Sequence, residues 1–237
     1  MYLGVDEAGK GPVLGPMVAA AVLAAPSNLP ADIDDSKRLT PERREALDAA
    51  IRGSDRVAVG VALVEPAEID RPDTDMNTLT VRGQARAVRA ALAETDGPAT
   101  SEKRPAGPVR VVADAGDTSE ARFARRLGEF VGADGDESAD LPVVDVEAFH
   151  GADEDDPVVG AASVVAKVAR DARMAAIDDR YPGYEAVGSG YPSDPTTRSF
   201  LRAYVAYNGD VPDCARRSWS TCDDVLAAAE QSGLDDF

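Results

Sequence analysis

The order of apolar and polar stretches along the 237-residue chain predicts an α/β protein. Short runs of branched apolar residues that end at Gly, Pro or Asp are typical of buried strands. The first two strands follow each other closely, and we expect them to form a hairpin. Five strands are predicted, at residues 2–5, 17–25, 56–64, 109–113 and 141–146.

Apolar residues at spacings of three and four predict helices between and after these strands. Thr40, Pro41 and Gly53 are typical N-cap, first-turn and C-terminal residues of one helix. In a longer helix capped by Asn77, the face expected to be buried carries Val81, Ala85, Val88 and Leu92. Further helices are predicted at residues 66–70, 119–130, 156–179, 196–207 and 223–231.

The first strand ends at two adjacent carboxylates, Asp6 and Glu7, which a glycine-rich turn follows. Neighbouring acids at the end of a buried strand repel each other and lose hydration, so a cation or a proton must offset their charge. A hard divalent metal ion is the natural partner. Gly9 and Gly11 allow the backbone to approach a ligand closely. A plain polar turn after a strand is the alternative interpretation of these residues.

Two further groups of polar residues lie where an α/β protein binds ligands. Asp114 ends the fourth strand, and open α/β sheets bind ligands at the carboxyl ends of their strands. The longest predicted helix carries Ser163, Lys167 and Asp171 at every fourth position, and therefore on one face. A solvated stripe with one Lys–Asp pair is the alternative for this face.

Composition indicates a globular protein without a membrane segment. The hydrophobic content is 44%, and no run approaches the roughly 20 apolar residues of a membrane helix. The chain starts directly with a strand and leaves no room for a leader, so we expect a cytoplasmic protein. Cys214 and Cys222 lack close Cys or His partners and are expected to be reduced thiols, not zinc ligands.

Acidic residues outnumber basic ones by 43 to 25, which gives a formal net charge of -18. The acids are spread along the whole chain, whereas a partner-binding tail would concentrate them in a block. Adaptation of the entire surface to high salt explains this pattern best, and we expect a halophilic protein. In such a protein the lack of a basic patch does not exclude a nucleic-acid substrate.

Several of these residues belong to a series of short motifs that resembles a known family. In chain order the motifs are Gly4-Val5-Asp6-Glu7-Ala8-Gly9, Asp35-Ser36-Lys37, Asp114, Ala161-Ala162-Ser163 with Ala166-Lys167-Val168 and Arg170-Asp171, and Gly188-Ser189-Gly190-Tyr191-Pro192. Together they resemble type 2 ribonuclease H, the single-subunit ribonuclease HII of bacteria and archaea. The ending Arg216-Arg217-Ser218-Trp219 is similar to the archaeal branch.

The resemblance implies a ribonuclease H-like fold, in which helices flank a five-stranded mixed sheet. Residues 1–190 would form the catalytic domain and residues 191–237 a helical substrate-binding region. The implied activity is endonucleolytic cleavage of RNA in RNA–DNA hybrids and at single ribonucleotides embedded in duplex DNA. The alternatives are another metal-dependent nuclease or resolvase of the same fold, and a non-catalytic relative that binds nucleic acid.

In the family four carboxylates hold the metal ions, and the matching residues here are Asp6, Glu7, Asp114 and Asp171. Two divalent ions, Mg²⁺ or Mn²⁺, would clamp one phosphate between an activated water and the leaving oxygen. The products implied by the family carry 5′-phosphate and 3′-hydroxyl ends. Because Mg²⁺ prefers oxygen ligands, we expect a loop role for His150 and not metal binding.

The resemblance also implies how substrate is bound. The glycine loop, Gly9-Lys10-Gly11, would read the 2′-hydroxyl through backbone groups, and Tyr191 would contact the sugar of the next nucleotide. The two lysines outside the loop would bind phosphate or pair with the acids. An aromatic side chain that pins a turn is the alternative for the tyrosine. The residues concerned are Gly9, Lys10, Gly11, Lys37, Lys167 and Tyr191.

Two positions depart from the family pattern. The family usually has arginine where Lys10 stands, and archaeal members usually have lysine where Gly151 stands. Both changes weaken the expected grip on phosphate. Lys10 lacks the bidentate fork of arginine, and Gly151 lacks the charge of lysine. The expected partners are RNA–DNA hybrids and ribonucleotide-containing duplex DNA, with the protein acting as a monomer. Binding to a sliding clamp stays open at this point.

Overall fold

The computed structural model describes residues 1–31, 33, 39–96, 107–133 and 141–234. Within these residues a five-stranded sheet has the strand order β3-β2-β1-β4-β5. The strands are β1 (Tyr2–Ala8), β2 (Met17–Ala24), β3 (Ala58–Val64), β4 (Val109–Asp114) and β5 (Val144–Phe149). Because β1 runs antiparallel to β2 and parallel to β4, the predicted mixed sheet and the β1–β2 hairpin are confirmed.

Eight helices connect or follow the strands in the described part of the chain. They are α1 (Pro41–Arg52), α2 (Pro66–Ile69), α3 (Met76–Ala93), α4 (Glu120–Ala133), α5 (Ala152–Asp155), α6 (Pro157–Asp178), α7 (Pro195–Asn208) and α8 (Ser220–Leu234). The Thr40 hydroxyl caps α1 by accepting a hydrogen bond from the Arg43 amide, as predicted. Helix α7 begins at Pro195, one residue before the predicted start, because Asp194 caps it.

The predicted bounds were wrong for β5, which was expected at residues 141–146. The strand begins at Val144, where it pairs with Val109, and continues until Phe149 pairs with Asp114. Pro142 precedes the strand and has no amide to donate to a ladder. Alternating half-buried and exposed positions extend past Val146, and this edge-strand pattern is weaker in sequence than a continuous apolar run.

The sheet separates two hydrophobic layers, because successive side chains of a strand point to opposite faces. On one face, Leu3 and Val5 pack with α3 and α4, whose Val81, Ala85, Val88 and Leu92 are buried as predicted. On the other face, Val22 packs with α1 and with the N-terminal part of α6. Burial on both faces explains why β2 is apolar throughout its length.

Gly4 allows β1 and α6 to approach each other closely. A Cβ atom at this position would collide with the main chain of Val158 and Val159. The glycine in the first motif is therefore a packing requirement at the start of α6. Because Asp6 is two residues after Gly4, its side chain points to the face of the sheet on which α6 lies.

The described chain divides into two compact units. The first unit comprises Met1–Ala8, Val18–Leu63 and Met76–Ala169, and the second comprises Gly9–Met17, Val64–Asp75 and Arg170–Phe237. The core of the second unit joins residues 13 and 14 with apolar residues of α7 and α8, and includes an edge-to-face pair of Tyr181 and Phe200. The division into domains at residue 190 stays a prediction.

Cys214 and Cys222 are free thiols, and both are buried. Burial raises the pKa of each thiol to about 11, which makes both poor nucleophiles at neutral pH. No helix in the described residues is long and apolar enough to span a membrane.

The contact at Gly4 predicts that Gly4→Ala destabilises the protein by about 1–3 kcal/mol, the usual cost of overpacking a core. Gly128→Ala is a matched control, because a Cβ there would make only an ordinary contact with Val146 and alanine favours helix α4. Thermal unfolding in molar KCl compares the two variants. Equal unfolding temperatures for Gly4→Ala and wild type would contradict the packing argument.

Candidate active site

The two acids at the end of β1 lie on opposite faces of the sheet. Asp6 points towards α6, whereas Glu7 shares the face of Leu3 and Val5 and points towards α3. Their pairing strand, β4, ends at Asp114, one residue beyond the paired Val5 and Ala113. Parallel pairing of β1 and β4 therefore brings three carboxylates to one edge of the sheet, within the first unit.

Asp6 is only 5% exposed, and its surroundings disfavour a negative charge. Burial is the main reason why the pKa of Asp6 lies well above its usual range, and the charges of Glu7 and Asp114 raise it further. The Ser163 hydroxyl donates to the Asp6 carboxylate, and the Lys167 ammonium donates to Ser163 Oγ at 2.8 Å. These donors offset the charge of Asp6 in part.

Gln84 connects the other two acids from within α3. Its amide Nε2 donates to Glu7 Oε2 at 2.7 Å and to the main-chain oxygen of Asp114 at 3.1 Å. The side chain is 0% exposed, and Gln84 Oε1 has no hydrogen-bond partner in the described part of the molecule. Gln84 thus holds the Glu7 carboxylate and the end of β4 in a fixed relation.

The loops after β4 and β5 hold Asp114 in place. Asp114 Oδ1 accepts a hydrogen bond from the Ala152 amide at 3.0 Å. His150 contacts the main-chain oxygen of Ala115 through Nδ1 at 3.1 Å, a loop contact of the kind expected for it. Gly151 follows with a φ of 74°, where a lysine side chain would be strained. This departure from the archaeal pattern therefore matches the local backbone.

The chemistry of these residues fits a hard divalent ion. Across the described ranges, no three acidic, histidine or cysteine side chains converge tightly enough to enclose an ion by themselves. Mg²⁺ and Mn²⁺, however, retain waters and need only a few carboxylate oxygens. Asp6, Glu7 and Asp114 supply such oxygens, and the raised pKa of Asp6 marks a charge that a cation would stabilise.

The remaining predicted residues are distributed as follows. Lys167 lies in α6 beside Ser163, whereas Asp171 lies one turn further along α6, is exposed, and belongs to the second unit. Lys37 lies outside the described residues. The fourth carboxylate and both lysines therefore keep their predicted roles as hypotheses, while Asp6, Glu7 and Asp114 are brought together.

The glycine loop and Tyr191 come together in the second unit. Gly9 has a φ of 86°, and a Cβ atom at this position would collide with the Arg170 side chain. A Cβ at Gly11 would lie 3.9 Å from the Tyr191 ring, which is 41% exposed. The Arg170 guanidinium lies over this ring, 5.4 Å from its centroid. Tyr191 is thus anchored by a cation–π contact and still presents part of its surface.

Sequence reasoning missed two residues that organise these groups. Gln84 lies three residues after Val81 and four before Val88, so a polar side chain on the buried face of α3 was the available signal. Arg216 was noted only as part of the ending that is similar to the archaeal branch, yet it is 0% exposed and binds the glycine loop. No signal in this single sequence distinguishes Arg216 from the exposed Arg217.

Fold and site together define a metal-dependent nuclease with a ribonuclease H-like fold. A family model described as Ribonuclease HII matches residues 3–222. Ribonuclease HII of Haloarcula marismortui is 54% identical over 237 residues, with 100% of both chains covered. Ribonuclease HII of Halobacterium salinarum is 51% identical over 234 residues and covers 99% of this chain and 98% of its own.

Solved structures agree with these sequence relatives. The ribonuclease H2 of Pyrococcus horikoshii has a TM-score of 0.76 at 30% identity, with 97% of this chain and 98% of that chain covered. The ribonuclease HII of Archaeoglobus fulgidus, solved in complex with PCNA, has a TM-score of 0.74 at 32% identity, with 92% of this chain and 95% of that chain covered. The chain belongs to the ribonuclease HII family.

This membership confirms the predicted fold class, the ribonuclease H activity and the metal-dependent endoribonuclease class. The similarity to halophilic archaeal proteins agrees with the halophilic origin expected from the acidic composition. The family assignment also decides against a resolvase and against a non-catalytic relative.

The raised pKa of Asp6 predicts how the metal-free protein responds to pH. The folded protein holds the Asp6 proton more tightly than the unfolded chain, in which the pKa is about 3.8. The stability from this proton is therefore complete below about pH 4 and is lost as the pH rises through the folded-state pKa. In EDTA and molar KCl, Asp6→Asn should unfold at a higher temperature than wild type at pH 8, with a smaller difference at pH 5. The same substitution at the exposed Asp179 serves as the control, and parallel curves for wild type and Asp6→Asn would refute the assignment.

The contacts of Gln84 predict that Gln84→Met weakens metal binding by about 10–100-fold, the usual effect of losing a residue that orients a metal ligand. Calorimetric titration with Mn²⁺ measures this affinity directly, and the metal dependence of cleavage gives a second value. Thr80→Val is the control, because Thr80 is equally buried in α3 and its hydroxyl donates to the Met76 carbonyl. A common loss of stability with unchanged metal affinity in both variants would show that Gln84 only packs.

Proposed function

We propose that Asp6, Glu7, Asp114 and Asp171 hold two divalent ions, Mg²⁺ or Mn²⁺, for hydrolysis of a phosphodiester bond. Three of these acids meet at the carboxyl edge of β1 and β4, which is the observation that carries the proposal. Asp171 is assigned by the Arg170-Asp171 motif and by its place on α6, two turns after Ser163. Two such ions would activate a water and stabilise the leaving 3′ oxygen.

The chain's own residues orient the acids for this task. The Ser163 hydroxyl fixes one oxygen of Asp6, the Gln84 amide fixes Glu7, and the Ala152 amide fixes Asp114. Lys167 holds Ser163 and can also attract the phosphate. Because the donors hold the carboxylates before any ligand arrives, little reorganisation is needed when substrate binds. The proposed products carry 5′-phosphate and 3′-hydroxyl ends.

We further propose that the loop formed by Gly9, Lys10 and Gly11 reads the 2′-hydroxyl of the cleaved nucleotide. In this proposal Tyr191 packs on the sugar of the next nucleotide, where an aromatic face suits a deoxyribose. The Tyr191 ring lies beside Gly11, at ordinary contact distance from where a Cβ atom would stand, which supports a common binding surface. Both RNA–DNA hybrids and duplex DNA with single ribonucleotides would then be substrates.

The decisive assay compares matched duplexes that contain no, one or four ribonucleotides. Cleavage is expected for one and four ribonucleotides, on the 5′ side of a ribonucleotide phosphate, and only with a divalent ion present. Equal cleavage of the all-DNA duplex would contradict ribose recognition. Cleavage that persists in excess EDTA would contradict the metal mechanism.

Loss of one carboxylate should abolish catalysis without unfolding the protein. Asp114→Asn and Asp171→Asn are each expected to lower the turnover number by at least about 10²-fold, because each removes a metal-binding charge. The fold should stay intact or become slightly more stable, since crowded like charges repel in the metal-free protein. Asp179→Asn, also exposed near the end of α6, is the control for Asp171. Wild-type turnover in Asp171→Asn would remove it from the ligand set.

A sliding clamp is a further proposed partner. The support is the Archaeoglobus fulgidus relative, which was solved in complex with PCNA. Calorimetric titration of the full chain with the clamp of the same organism tests this proposal. Absence of any heat of binding would contradict it. Gel filtration of the free protein tests the expected monomer.

The acidic surface predicts an unusual response to salt. Basic proteins lose duplex affinity steeply as salt rises, by about 0.9 log units per contacted phosphate for each tenfold increase. With 25 basic and 43 acidic residues, this chain can neutralise few phosphates, so we expect a shallow slope. At about 0.1 M KCl the screening length is about 10 Å, and the acids would repel each other and the duplex.

Cleavage and folding are therefore expected to require high salt, with activity that persists at about 3 M KCl, where the screening length falls below about 3 Å. Duplex affinity, cleavage rate and circular dichroism should be followed across this range. Maximal activity at the low end, with a steep loss above it, would refute the halophilic interpretation.

A further inference from the structure

Arg216 is a fully buried cation whose partners are main-chain carbonyls. Its Nε donates to the main-chain oxygen of Gly15 at 3.0 Å, its Nη1 to that of Lys10 at 2.9 Å and its Nη2 to that of Gly9 at 2.6 Å. Its side chain is 0% exposed, and no described carboxylate forms an ion pair with it. Burial, and to a lesser extent the charge of Arg170, lowers the pKa of Arg216 to about 10, so the guanidinium remains charged at neutral pH.

Only a guanidinium can make this set of contacts. Three donors of one planar group reach three carbonyls of the same loop segment, residues 9–15. A lysine ammonium is a compact point charge on a flexible stem and would not hold these carbonyls in one plane. The main chain supports the arrangement, because the Arg216 amide donates to the Val13 carbonyl at 2.8 Å.

The direction of the carbonyls determines the direction of the loop amides. The described chain contains no cis peptide, and in a trans peptide the carbonyl and the following N–H point in opposite directions. Since the Gly9 and Lys10 carbonyls point at Arg216, the N–H groups of Lys10 and Gly11 point away from it. The carbonyl of Gly11, which does not contact Arg216, accepts a hydrogen bond from the Trp219 indole at 3.2 Å. The next residue, Pro12, has no N–H.

Arg170 is a second buried cation in contact with the same loop. A Cβ at Gly9 would collide with its Nε and Cδ, and its Nη2 donates to the Ser189 carbonyl at 3.1 Å. Its Nε is buried and has no hydrogen-bond partner in the described structure. Two cations thus lie against the glycine loop of a protein whose surface is otherwise strongly acidic. They give the loop a local positive potential.

We propose that Arg216 is the positioning residue for ribose recognition: it holds the carbonyls of Gly9, Lys10 and Gly15 so that the loop amides face the substrate. The inference rests on the proposed role of the loop in reading the 2′-hydroxyl. Arg216 itself does not touch the substrate in this proposal. Its three hydrogen bonds are internal, so salt does not screen them, and discrimination between ribose and deoxyribose is independent of the salt concentration.

The test measures ribose discrimination as a ratio. KM is determined for a duplex with one ribonucleotide, and the inhibition constant Ki for the matched all-DNA duplex as a competitor, both with Mg²⁺ in molar KCl. For Arg216→Lys the ratio of Ki to KM should fall by about tenfold, because KM rises while Ki changes by less than about twofold. Arg217→Lys is the matched control, since the neighbouring Arg217 is exposed and binds Asp210. Its ratio should equal that of wild type.

A purely structural role would lower the folded fraction and leave this ratio unchanged, so thermal unfolding is measured for each variant. Trp219→Phe keeps an aromatic ring but removes the hydrogen bond to Gly11, and should lower the ratio by about threefold. If Arg216→Lys does not fold, the ratio of Ki to KM for Trp219→Phe decides whether the proposal stands. A wild-type ratio in folded Arg216→Lys, or in Trp219→Phe where Arg216→Lys does not fold, would overturn the proposal.

The same measurements separate this inference from the proposed function. If wild type itself shows equal KM and Ki, or does not cut the single-ribonucleotide duplex, ribose recognition by the enzyme fails. If wild type discriminates and Arg216→Lys discriminates equally well, only the role of Arg216 fails. Repeating the wild-type ratio at two KCl concentrations tests its independence of salt, and a ratio that falls as salt rises would contradict the internal-bond mechanism.

Discussion

The parallel pairing of β1 with β4 is the constraint on which the acidic edge of the sheet depends. It places Asp114 next to the end of β1, and the alternation of side chains then sends Asp6 and Glu7 to opposite faces. Each acid consequently meets a different helix, Ser163 of α6 for Asp6 and Gln84 of α3 for Glu7. Gly4 makes the arrangement possible, because any side chain there would push α6 away from the sheet.

Crowding three acids at one edge destabilises the fold, and their supports limit this cost without removing it. Ser163, Gln84 and the Ala152 amide each donate to a carboxylate. Such dipoles orient the oxygens, but the pKa of Asp6 stays raised because burial and the neighbouring charges outweigh them. Full compensation requires positive charge from outside the protein, and divalent ions bound as proposed would supply it. In that proposal stability and metal binding are coupled through the same side chains.

The sequence predicted the elements that carry a strong local signal. The hairpin, the buried face of α3 and the cap at Thr40 follow from apolar spacing and capping chemistry. It could not predict that Gln84 spans two strands or that Arg216 returns to the glycine loop, about 200 residues away in sequence. Both contacts depend on how distant elements pack, which no local pattern encodes. The bounds of β5 failed for a related reason, since an edge strand alternates weakly.

The distribution of charge suggests how a strongly acidic protein can still recognise nucleic acid. Surface acids keep the protein hydrated in salt, but they repel phosphate at long range. The contacts that remain effective when screening is strong are those made at hydrogen-bond distance or within the protein interior. Arg170 and Arg216 are both buried, where surrounding salt has little access, and they hold the glycine loop and the partly exposed Tyr191. Selection for an acidic surface would therefore leave these interior arginines untouched, because replacing them changes the geometry of the loop and not the hydration of the surface.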